Sequence, residues 1–408
     1  MIMVMIRPET EMKDSGVQWI GDIPNDWNIK PLYACLDEIN QKNNPVVTTN
    51  ILSLTNTDGV IPYSERGNQG NKSKENFEEY KVVYPNTIVA NSMNILIGSV
   101  GLSQYEGCVS PVYYVYAAKP QVDIRYMNYL FQMELFQKRL RQFANGILEI
   151  RLRVSSHAIL HQKVAVPAYD EQQAIADYLD KTCTKIDEII AETKASIDEY
   201  KGLKQSVIFE AVTKGLDKNV EMKGSGSYWI GDIPLTWSTI KTKYVIKIEN
   251  GSDPSTEGDT PVYGSGANSF KTCGEYKVGP TVLLGRKGAT LHIPHYIEGK
   301  YWNVDTAFNT TSIEKRINLK YFYYVAFCFD YTRYISQTTL PGMTQTSYRN
   351  IYIPYPPMNV QNRIVLWLDN KIDELDSLIS EKQSLLKDLE AYKKSLIYEV
   401  VTGKRRVV

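Results

Sequence analysis

The chain has 408 residues, of which 43% are hydrophobic and 23% charged, and its 46 Lys and Arg residues balance its 46 Asp and Glu residues. A chain of this length is too long to fold around a single hydrophobic core, and it predicts roughly two to four domains. Its formal net charge of zero excludes a chain that is basic throughout. No apolar run approaches the roughly 20 residues of a membrane span, and the apolar start is too short for a signal peptide. We therefore expect a cytoplasmic protein that does not enter a membrane. Five scattered cysteines without a CxxC pair indicate reduced, buried thiols.

A motif bounded by two tryptophans occurs twice. It runs from Trp19 to Trp27 as Trp-Ile-Gly-Asp-Ile-Pro-Asn-Asp-Trp and returns from Trp229 to Trp237 as Trp-Ile-Gly-Asp-Ile-Pro-Leu-Thr-Trp. Chance recurrence of such a motif is negligible, so the chain is an internal duplication. Because the motif is common to both halves, we expect it to pack each domain onto a shared framework or to present one surface to two copies of a partner.

Between the first motif and residue 166, short β-branched and aromatic runs alternate with turns rich in Asn, Gly and Pro. This pattern is typical of strands. One stretch, from Tyr126 to Phe143, has apolar residues at mostly helical spacing. The sequence therefore predicts a mixed, β-rich domain with a helix or two. The predicted strands are Val46–Val47, Ile51–Leu54, Tyr80–Tyr84, Thr87–Ala90 and Val112–Tyr116.

A long helix is predicted after Pro167, where acidic side chains at the start match the helix dipole and Gly215 marks the end. Its apolar residues recur every three, four or seven positions, which is typical of a coiled-coil seam. Thr182, Thr193 and Lys204 interrupt the seam, which favours packing on one specific partner over a strong homodimeric zipper. The seam residues are Ile175, Leu179, Ile186, Ile190, Ile197, Tyr200, Val207 and Ala211.

A second variable region follows a Gly- and Ser-containing linker and the second motif. Its predicted strands are Tyr244–Ile248, Thr281–Leu284 and Tyr321–Phe329. Two glycine-rich loops, Tyr263–Asn268 and Gly285–Gly288, follow strand-like runs. Such loops either cradle a phosphate through main-chain N–H groups or serve as ordinary turns.

The sequence pattern of the first helix then recurs 189 positions later, where Leu368-Asp369 corresponds to Leu179-Asp180. We expect an α+β fold in which two mixed β-rich globular domains are separated by two long antiparallel helices, a coiled-coil spacer with an internal pseudo-twofold repeat. The predicted segments are 1–166 and 215–355 for the domains with their motifs, and 167–214 and 356–408 for the helices.

Charge is segregated between these segments. Residues 28–166 contain 14 basic and 11 acidic side chains, and residues 238–355 contain 13 and 9. Residues 167–213 contain 5 basic and 10 acidic side chains, and residues 356–402 contain 6 and 8. The domains are therefore net positive and the helices net negative. Phosphate-binding surfaces need such local excesses of Lys and Arg, although a solvated surface explains any single cluster equally well.

Catalytic signatures are absent from the sequence. It contains no GxxxxGK[ST] phosphate loop, no HExxH, and no Asn/Asp-Pro-Pro-Tyr/Phe. His292 and His295 are close enough for a metal pair, but Pro294 disturbs their spacing and no Cys or His cluster is near. We therefore predict neither an enzyme active site nor a metal site in this chain.

These residues together resemble the specificity (S) subunits of type I restriction-modification systems, and the resemblance covers essentially the whole chain. It rests on the repeated Ser-Gly-x-x-Trp-Ile-Gly-Asp-Ile-Pro-x-x-Trp and on Pro-x-x-x-x-Gln-x-x-Ile-x-x-x-Leu-Asp, which opens each helix at Pro167 and Pro356. The helix ends, Glu-Ala-Val-Thr-Lys-Gly at Glu210 and Glu-Val-Val-Thr-Gly-Lys at Glu399, are similar to the family's as well. In the second domain, the loops at Tyr263 and Gly285 resemble recurring loops of the family's recognition domains. The first domain departs from that pattern with Ser-Met-Asn at residues 92–94.

The resemblance implies two target-recognition domains, each binding one half of a split sequence in double-stranded DNA, with the helices as spacer and docking surface. It implies a non-catalytic chain that holds no cofactor. Two methyltransferase (M) subunits would use S-adenosylmethionine, and restriction and translocase (R) subunits would use ATP and Mg²⁺. Two alternatives compete with this interpretation: a protein-interaction scaffold that does not bind DNA, which leaves the basic domains unexplained, and a self-contained nuclease or methyltransferase, which lacks its catalytic residues.

Residue chemistry and position select the candidate contacts, since Arg can bind guanine, Asn and Gln can bind adenine, and Lys binds phosphate. The residues expected to contact DNA are Arg66, Asn68, Lys72, Asn94, Arg139, Arg141, Arg151, Arg153, Tyr263, Ser265, Asn268, Arg286, Lys287 and Gln345. The residues expected to form the spacer or dock partners are Trp19, Trp27, Ile186, Ile190, Ile197, Trp229, Trp237, Leu375, Ile379 and Leu386.

Overall fold

The computed structural model describes residues 4–55, 59–66, 76–145, 152–266, 268–335 and 341–407. The chain divides into two compact units: unit 1 is Met1–Thr193 with Leu385–Val408, and unit 2 is Lys194–Ser384. Both units mix helices and strands, which confirms the α+β class. Across the described ranges, no helix combines the length and the hydropathy that crossing a membrane would need. The four-segment division predicted from the sequence stays a prediction.

Unit 1 contains a four-stranded antiparallel sheet against which two short helices pack. The strands in this part of the chain are β1 (Val4–Ile6), β2 (Met12–Asp14), β3 (Asp22–Pro24), β4 (Asn28–Pro31), β5 (Leu36–Glu38), β6 (Leu52–Thr55), β7 (Gly59–Pro62), β8 (Lys81–Val83), β9 (Ile88–Asn91), β10 (Val100–Leu102), β11 (Gly107–Val109), β12 (Tyr113–Ala118) and β13 (Lys163–Val166). The helices are α1 (Ile124–Gln132), α2 (Glu134–Arg141), α3 (Ser156–Leu160) and the long α4 (Tyr169–Lys214). The sheet has the order β10-β9-β12-β5, and Tyr116 from β12 stacks at 6.0 Å on Phe131 of α1 in the core.

One sequence prediction in unit 1 is wrong, and another stands in a more detailed form. The stretch from Tyr126 to Phe143 forms two helices, because buried Met133 takes an extended conformation between α1 and α2. Val46 and Val47 do not form a strand. They lie in a turn organised by the buried side chain of Asn43, whose Oδ1 accepts a hydrogen bond from the main-chain N–H of Val47 at 2.9 Å.

Unit 2 contains two four-stranded sheets. Its strands are β14 (Met222–Gly224), β15 (Asp232–Pro234), β16 (Ser238–Lys241), β17 (Ile246–Asn250), β18 (Thr260–Tyr263), β19 (Lys271–Cys273), β20 (Lys277–Val278), β21 (Thr281–Gly285), β22 (His295–Ile297), β23 (Lys300–Asn303), β24 (Ala307–Ser312) and β25 (Tyr352–Tyr355). The helices are α5 (Leu319–Phe327), α6 (Gln345–Arg349) and the long α7 (Met358–Val401). One sheet has the order β17-β24-β21-β22 and the other β19-β18-β23-β20.

The strand predicted from Tyr321 to Phe329 is wrong, because most of this stretch is helix α5. Asn318 caps the helix by accepting hydrogen bonds from the main-chain N–H groups of Lys320 and Tyr321. The aromatic run misled the prediction, since strand propensity mostly reflects a fit to a half-buried surface. A short helix buried on several sides meets the same demand for bulky apolar residues.

A buried glutamine near the start of each long helix joins that helix to the domain before it. Gln172 accepts a hydrogen bond from the main-chain N–H of Asp123 at 2.9 Å and donates to the carbonyl of the proline that opens its motif at 3.0 Å. Gln361 does the same in unit 2 with Asn318 and its own proline, both at 2.9 Å. These paired bonds satisfy both ends of a buried amide, which explains why the glutamine recurs in both helical motifs.

A tyrosine and an aspartate make a second repeated contact. The Tyr129 hydroxyl donates to Asp180 at 2.7 Å in unit 1, and the Tyr324 hydroxyl donates to Asp369 at 2.5 Å in unit 2. Burial, followed by the bond to the carboxylate, raises the pKa of both tyrosines. Both hydroxyls therefore stay protonated, and the Leu-Asp element of each motif anchors a domain helix to the long helix.

A third repeated contact comes from a fully buried tyrosine hydroxyl. In unit 1, Tyr126 donates to the carbonyl of Val401 at the end of α7 and to a carbonyl of β13. In unit 2, Tyr321 donates to the carbonyl of Val212 near the end of α4 and to a carbonyl of β25. Each unit therefore holds the start of one long helix and the end of the other.

The two ends of the chain meet in unit 1. A last strand, β26 (Arg405–Val407), pairs antiparallel with β1. Next to it, the Arg7 side chain is 3% exposed and forms an ion pair with Glu171, whose second oxygen accepts a bond from the indole N–H of Trp27 at 2.9 Å. Arg7 also lies over the Trp27 ring, at 5.9 Å from its centroid. These contacts fix the N-terminal segment to the start of α4.

The second tryptophan of each motif packs on the glycine that ends a long helix. A Cβ atom built on Gly215, where φ is +77°, would lie 3.0 Å from the Trp237 ring. A Cβ atom built on Gly403, where φ is +75°, would lie 2.5 Å from Pro24 and 3.1 Å from the Trp27 ring. Both positions need glycine for its left-handed conformation and for its missing side chain.

Gly403→Ala is expected to lower the free energy of unfolding by about 2 to 5 kcal/mol, combining left-handed strain with overpacking against Pro24. Urea denaturation measures the loss. Gly21→Ala is the matched control, because Gly21 has a φ of +70° and a Cβ atom added there would meet nothing within 4 Å; we expect about 1 kcal/mol for strain alone. Equal losses in the two variants would contradict the packing argument.

Candidate nucleic-acid interface

In the second domain, which lies in unit 2, loops at one end of the β17-β24-β21-β22 sheet converge around Arg286. The main-chain N–H of Arg286 donates to the carbonyl of Thr306 at 2.8 Å, and its own carbonyl accepts from the N–H of Met343 at 2.9 Å. The N–H of Gly288 donates to the carbonyl of Pro341 at 3.0 Å. The loop after β21 is therefore held on both sides by main-chain bonds, which fixes where its side chains emerge.

The two basic side chains of this loop differ in their surroundings. Arg286 is half-buried, donates from Nη1 to the carbonyl of Asp305 at 3.3 Å, and lies 5.9 Å from the centroid of the Phe308 ring. Lys287 is exposed, with its ammonium 3.7 Å from the Asp305 carboxylate. Arg286 is thus positioned with hydrogen-bond donors remaining, as recognition of a base edge requires. Lys287 is better suited to a phosphate.

The other predicted contacts of the second domain are divided. Ser265 lies 3.4 Å from Thr290 in the loop after Arg286, and Tyr263 packs 5.3 Å from the ring of His295. Gln345 donates its amide to the carbonyl of Ile248, so that donor is occupied within the domain. Asn268 is exposed. The structure therefore brings Tyr263 and Ser265 to the same edge as Arg286.

His295 is half-buried, and burial lowers its pKa, which favours the neutral imidazole. Among the residues that the structure describes, no group of three or more His, Cys, Asp or Glu is placed to hold a metal ion.

In the first domain, three predicted residues lie around the end of β9. Asn94 is exposed in the turn that follows the strand. Arg153 is exposed on a segment held there by a bond from the N–H of Val154 to the carbonyl of Ser92 at 3.0 Å. Arg66 stacks 4.5 Å above the Tyr63 ring. Burial raises the pKa of Tyr113, and the positive charge of Arg66 partly offsets this rise. This edge carries Arg and Asn without the glycine-rich loop of the second domain.

Other first-domain predictions fall elsewhere. Arg139 lies on α2, where its Nε donates to Gln162 at 3.2 Å, and exposed Arg141 lies at the end of the same helix. Three predicted contacts lie outside the described residues: Asn68, Lys72 and Arg151.

The two long helices lie side by side within each unit. In unit 1, Lys393 of α7 donates to both oxygens of Asp187 at 2.6 Å, and in unit 2, Lys204 donates to both oxygens of Asp376 at 2.8 Å. Within unit 2, Lys382 also lies over the Tyr200 ring at 5.6 Å, so the helices there run antiparallel. Trp27, Trp237, Ile186, Ile197 and Leu375 are buried, while Trp19, Trp229, Ile190, Ile379 and Leu386 are partly exposed.

Each unit also exposes an apolar patch that the sequence analysis missed. In unit 1, Ile189 is 44% exposed and Tyr392 47%; in unit 2, Leu203 is 46% exposed and Leu378 39%. Each of the four residues comes directly before a position of the helix seam, namely Ile190, Lys204, Ile379 and Lys393. On two antiparallel helices, residues that flank the seam at the same heptad position lie on the same side of it. The patches are equivalent, because each α7 residue stands 189 positions after its α4 counterpart. The recurrence of apolar residues at these equivalent positions is the feature of the sequence that could have indicated the patches.

Comparison with known proteins identifies relatives along nearly the whole chain. Residues 27–199 and 234–388 match the family model for the type I restriction modification DNA specificity domain. A protein of Methanocaldococcus jannaschii named as a type I restriction enzyme MjaX specificity subunit is 22% identical over 425 residues, which cover 95% of this chain and 96% of that protein.

Two solved structures share the fold. A chain from a structural study of complex assembly and conformational transition in the type I R-M system has a TM-score of 0.73 at 13% identity, covering 94% of this chain and 99% of that one. The HsdS subunit from Thermoanaerobacter tengcongensis has a TM-score of 0.54 at 14% identity, covering 94% and 98%. With the family match spanning most of both halves, the chain belongs to the type I restriction-modification specificity subunit family.

Proposed function

We propose that this protein selects the DNA target of a type I restriction-modification complex, with each globular domain binding one half of a bipartite sequence. The observation that carries the proposal is the contrast between framework and loops. The glutamine, tyrosine and aspartate contacts are the same in both units, whereas the loop at Arg286 has a different counterpart at Asn94. A duplicated frame with two unlike edges fits two different half-sites.

The chemistry of the two edges supports this function. The second domain offers the half-buried guanidinium of Arg286 beside exposed Lys287, and the first offers Asn94 beside exposed Arg153. Arginine and asparagine make the bidentate contacts that discriminate guanine and adenine, and lysine binds the backbone. We assign base reading to these edges and propose that the long helices set the unspecified gap between the half-sites.

The two apolar patches support a second element of the proposal, the docking of two methyltransferase subunits. Exposed apolar groups at equivalent places fit two copies of one partner, because each copy then meets the same surface. In this proposal the chain is a non-catalytic adaptor. S-adenosylmethionine acts in the methyltransferase subunits, and ATP and Mg²⁺ act in restriction subunits that join the same complex.

Methylation mapping tests the function. In a host that expresses the chain with a methyltransferase subunit, methylated adenines should lie in one bipartite sequence that disappears when the chain is deleted. Arg286→Ala should relax or weaken one half-site, with a loss of about 1 to 3 kcal/mol if the side chain reads a base. Lys287→Ala is the neighbouring control and should weaken binding uniformly over all sequences.

Failure to recover any bipartite sequence would contradict the proposal. Assembly with the partner in the absence of sequence-dependent DNA binding would favour a protein scaffold instead.

A further inference from the structure

Unit 1 contains a groove of about 910 Å³ whose lining does not include the loop-edge residues Arg66, Asn94 and Arg153. It lies between the first tryptophan motif, helix α2 and the segment from α3 to the start of β13, and its lining includes Trp19, Arg139, His157, His161 and Lys163. Trp19 is held there by packing against Phe136, with ring centroids 5.5 Å apart. The groove therefore combines an aromatic wall with basic side chains.

Arg139 is oriented toward the groove without being neutralised. Its Nε donates to the buried side chain of Gln162 at 3.2 Å, its Nη1 donates to Gln142 at 2.6 Å, and its guanidinium lies 4.7 Å from the centroid of the Phe143 ring. These partners are uncharged, so the full positive charge remains. Lys163, at the start of β13, is exposed, and no ion pair joins it to a residue in the described ranges.

The imidazoles of His157 and His161 extend the same surface. Their ring centroids are 3.9 Å apart, and Nδ1 of His161 lies 2.8 Å from the carbonyl of His157, which makes Nδ1 the donor. Nε2 of His161 is then an acceptor in the neutral ring and a second donor in the charged one. The lining supplies donors and positive charge, and no carboxylate is part of it.

One wall of the groove, Trp19, belongs to the repeated framework, but the wall formed by α3 and β13 differs between the two halves. Helix α3 and β13 correspond to α6 and β25 at the constant offset of 189, and the counterparts of His157, His161 and Lys163 are Thr346, Asn350 and Tyr352. A partner bound in the same way by both units would meet different chemistry at these positions. The occupant is therefore one that unit 1 meets alone.

The groove is connected to the loop edge of unit 1 through α3. The segment that precedes this five-residue helix is bound to Ser92 at that edge, and a helix of five residues spans only about 7.5 Å. An anionic polymer held at the loop edge therefore has the groove within reach.

We propose that this groove binds the phosphodiester backbone of the DNA adjoining the half-site that unit 1 reads, through Arg139 and Lys163. The inference rests on the proposed DNA-binding function and extends it with a contact specific to one domain. Replacing either cation should therefore remove about one phosphate contact. Because each neutralised phosphate releases a bound counterion, the salt dependence of DNA binding counts these contacts.

The test combines protein variants with neutral methylphosphonate linkages placed one at a time along a duplex that carries the mapped sequence. With the native chain in its methyltransferase complex, one or two linkages beside the unit 1 half-site should weaken binding about three-fold each. In the Arg139→Gln, Lys163→Gln variant those linkages should have no further effect on binding. The slope of log K for DNA binding against log salt concentration should become less steep by about 2. The half-site of unit 1 is the one that Arg286→Ala leaves unchanged.

Lys223→Gln, an exposed lysine on β14 of unit 2, controls for the loss of a surface charge. Identical linkage profiles for the native chain and the groove variant would overturn the inference, as would loss of the methyltransferase partner with DNA binding unchanged, which would assign the groove to an acidic protein segment. If the native complex binds no specific duplex, the proposed function itself fails, and that result is separate from an unaltered profile.

Discussion

A chain in which Ile189 and Tyr392 are both replaced by aspartate should hold one methyltransferase subunit, where we propose that the native chain holds two. These residues form the apolar patch of unit 1, and the equivalent patch of unit 2 is untouched. Burying unpaired carboxylates in an apolar contact costs more than roughly 3 kcal/mol, which weakens that docking site over 100-fold. Native mass spectrometry of the assembled complex counts the subunits.

The matched variant Leu203→Asp, Leu378→Asp should remove the other copy, and the four-residue combination should remove both. Val278→Asp places the same charge on an exposed apolar residue of β20, outside both the helices and the repeated motifs, and should leave two copies bound. Retention of both copies by the four-residue variant would show that the partner docks elsewhere.

Deleting residues 190–196 together with residues 384–390 should shorten the unspecified gap of the methylated sequence by about three base pairs. A heptad contributes about 10 Å to a helix, and the duplex rises 3.4 Å per base pair. The deletions keep the seam in phase to within about 20° and leave the ion pairs Asp187–Lys393 and Lys204–Asp376 in place. Methylation mapping gives the gap directly.

Deleting only residues 190–196 is the informative control, because it removes a heptad from one helix and leaves its partner unmatched. That variant should lose assembly or sequence-specific methylation. An unchanged gap together with full methylation in the double deletion would show that the helices do not set the spacing.

The framework could be predicted from the sequence because its residues repeat. Gln172 and Asp180 recur at one offset, and the structure gives each a specific hydrogen-bonding role that any second copy of the fold must preserve. Helix α5 was missed for the opposite reason. Its aromatic residues satisfy a buried environment in either a strand or a helix, and the cap at Asn318 that decides between them is a local signal of modest strength.

The candidate site was predictable only as a set of residue types. Nothing in the sequence distinguishes Arg286, which a carbonyl and a ring hold at the loop edge, from Arg139, which two amides hold in a groove. That difference depends on contacts between segments far apart in the chain. Ile189 and Leu378 lie outside the apolar repeat that predicts the seam, and their exposure depends on how the two helices pair.

Unit 1 is built from the first and the last stretch of the chain, and this has a consequence for synthesis on the ribosome. The core of unit 1 includes Leu396, Val400 and Val401, and Tyr126 donates its hydroxyl to the carbonyl of the last of these. Unit 2 is complete once Ser384 has been made. The half of the protein that is translated first is therefore the last to close its core, and until the final turns of α7 emerge its apolar surface stays open to water and to chaperones.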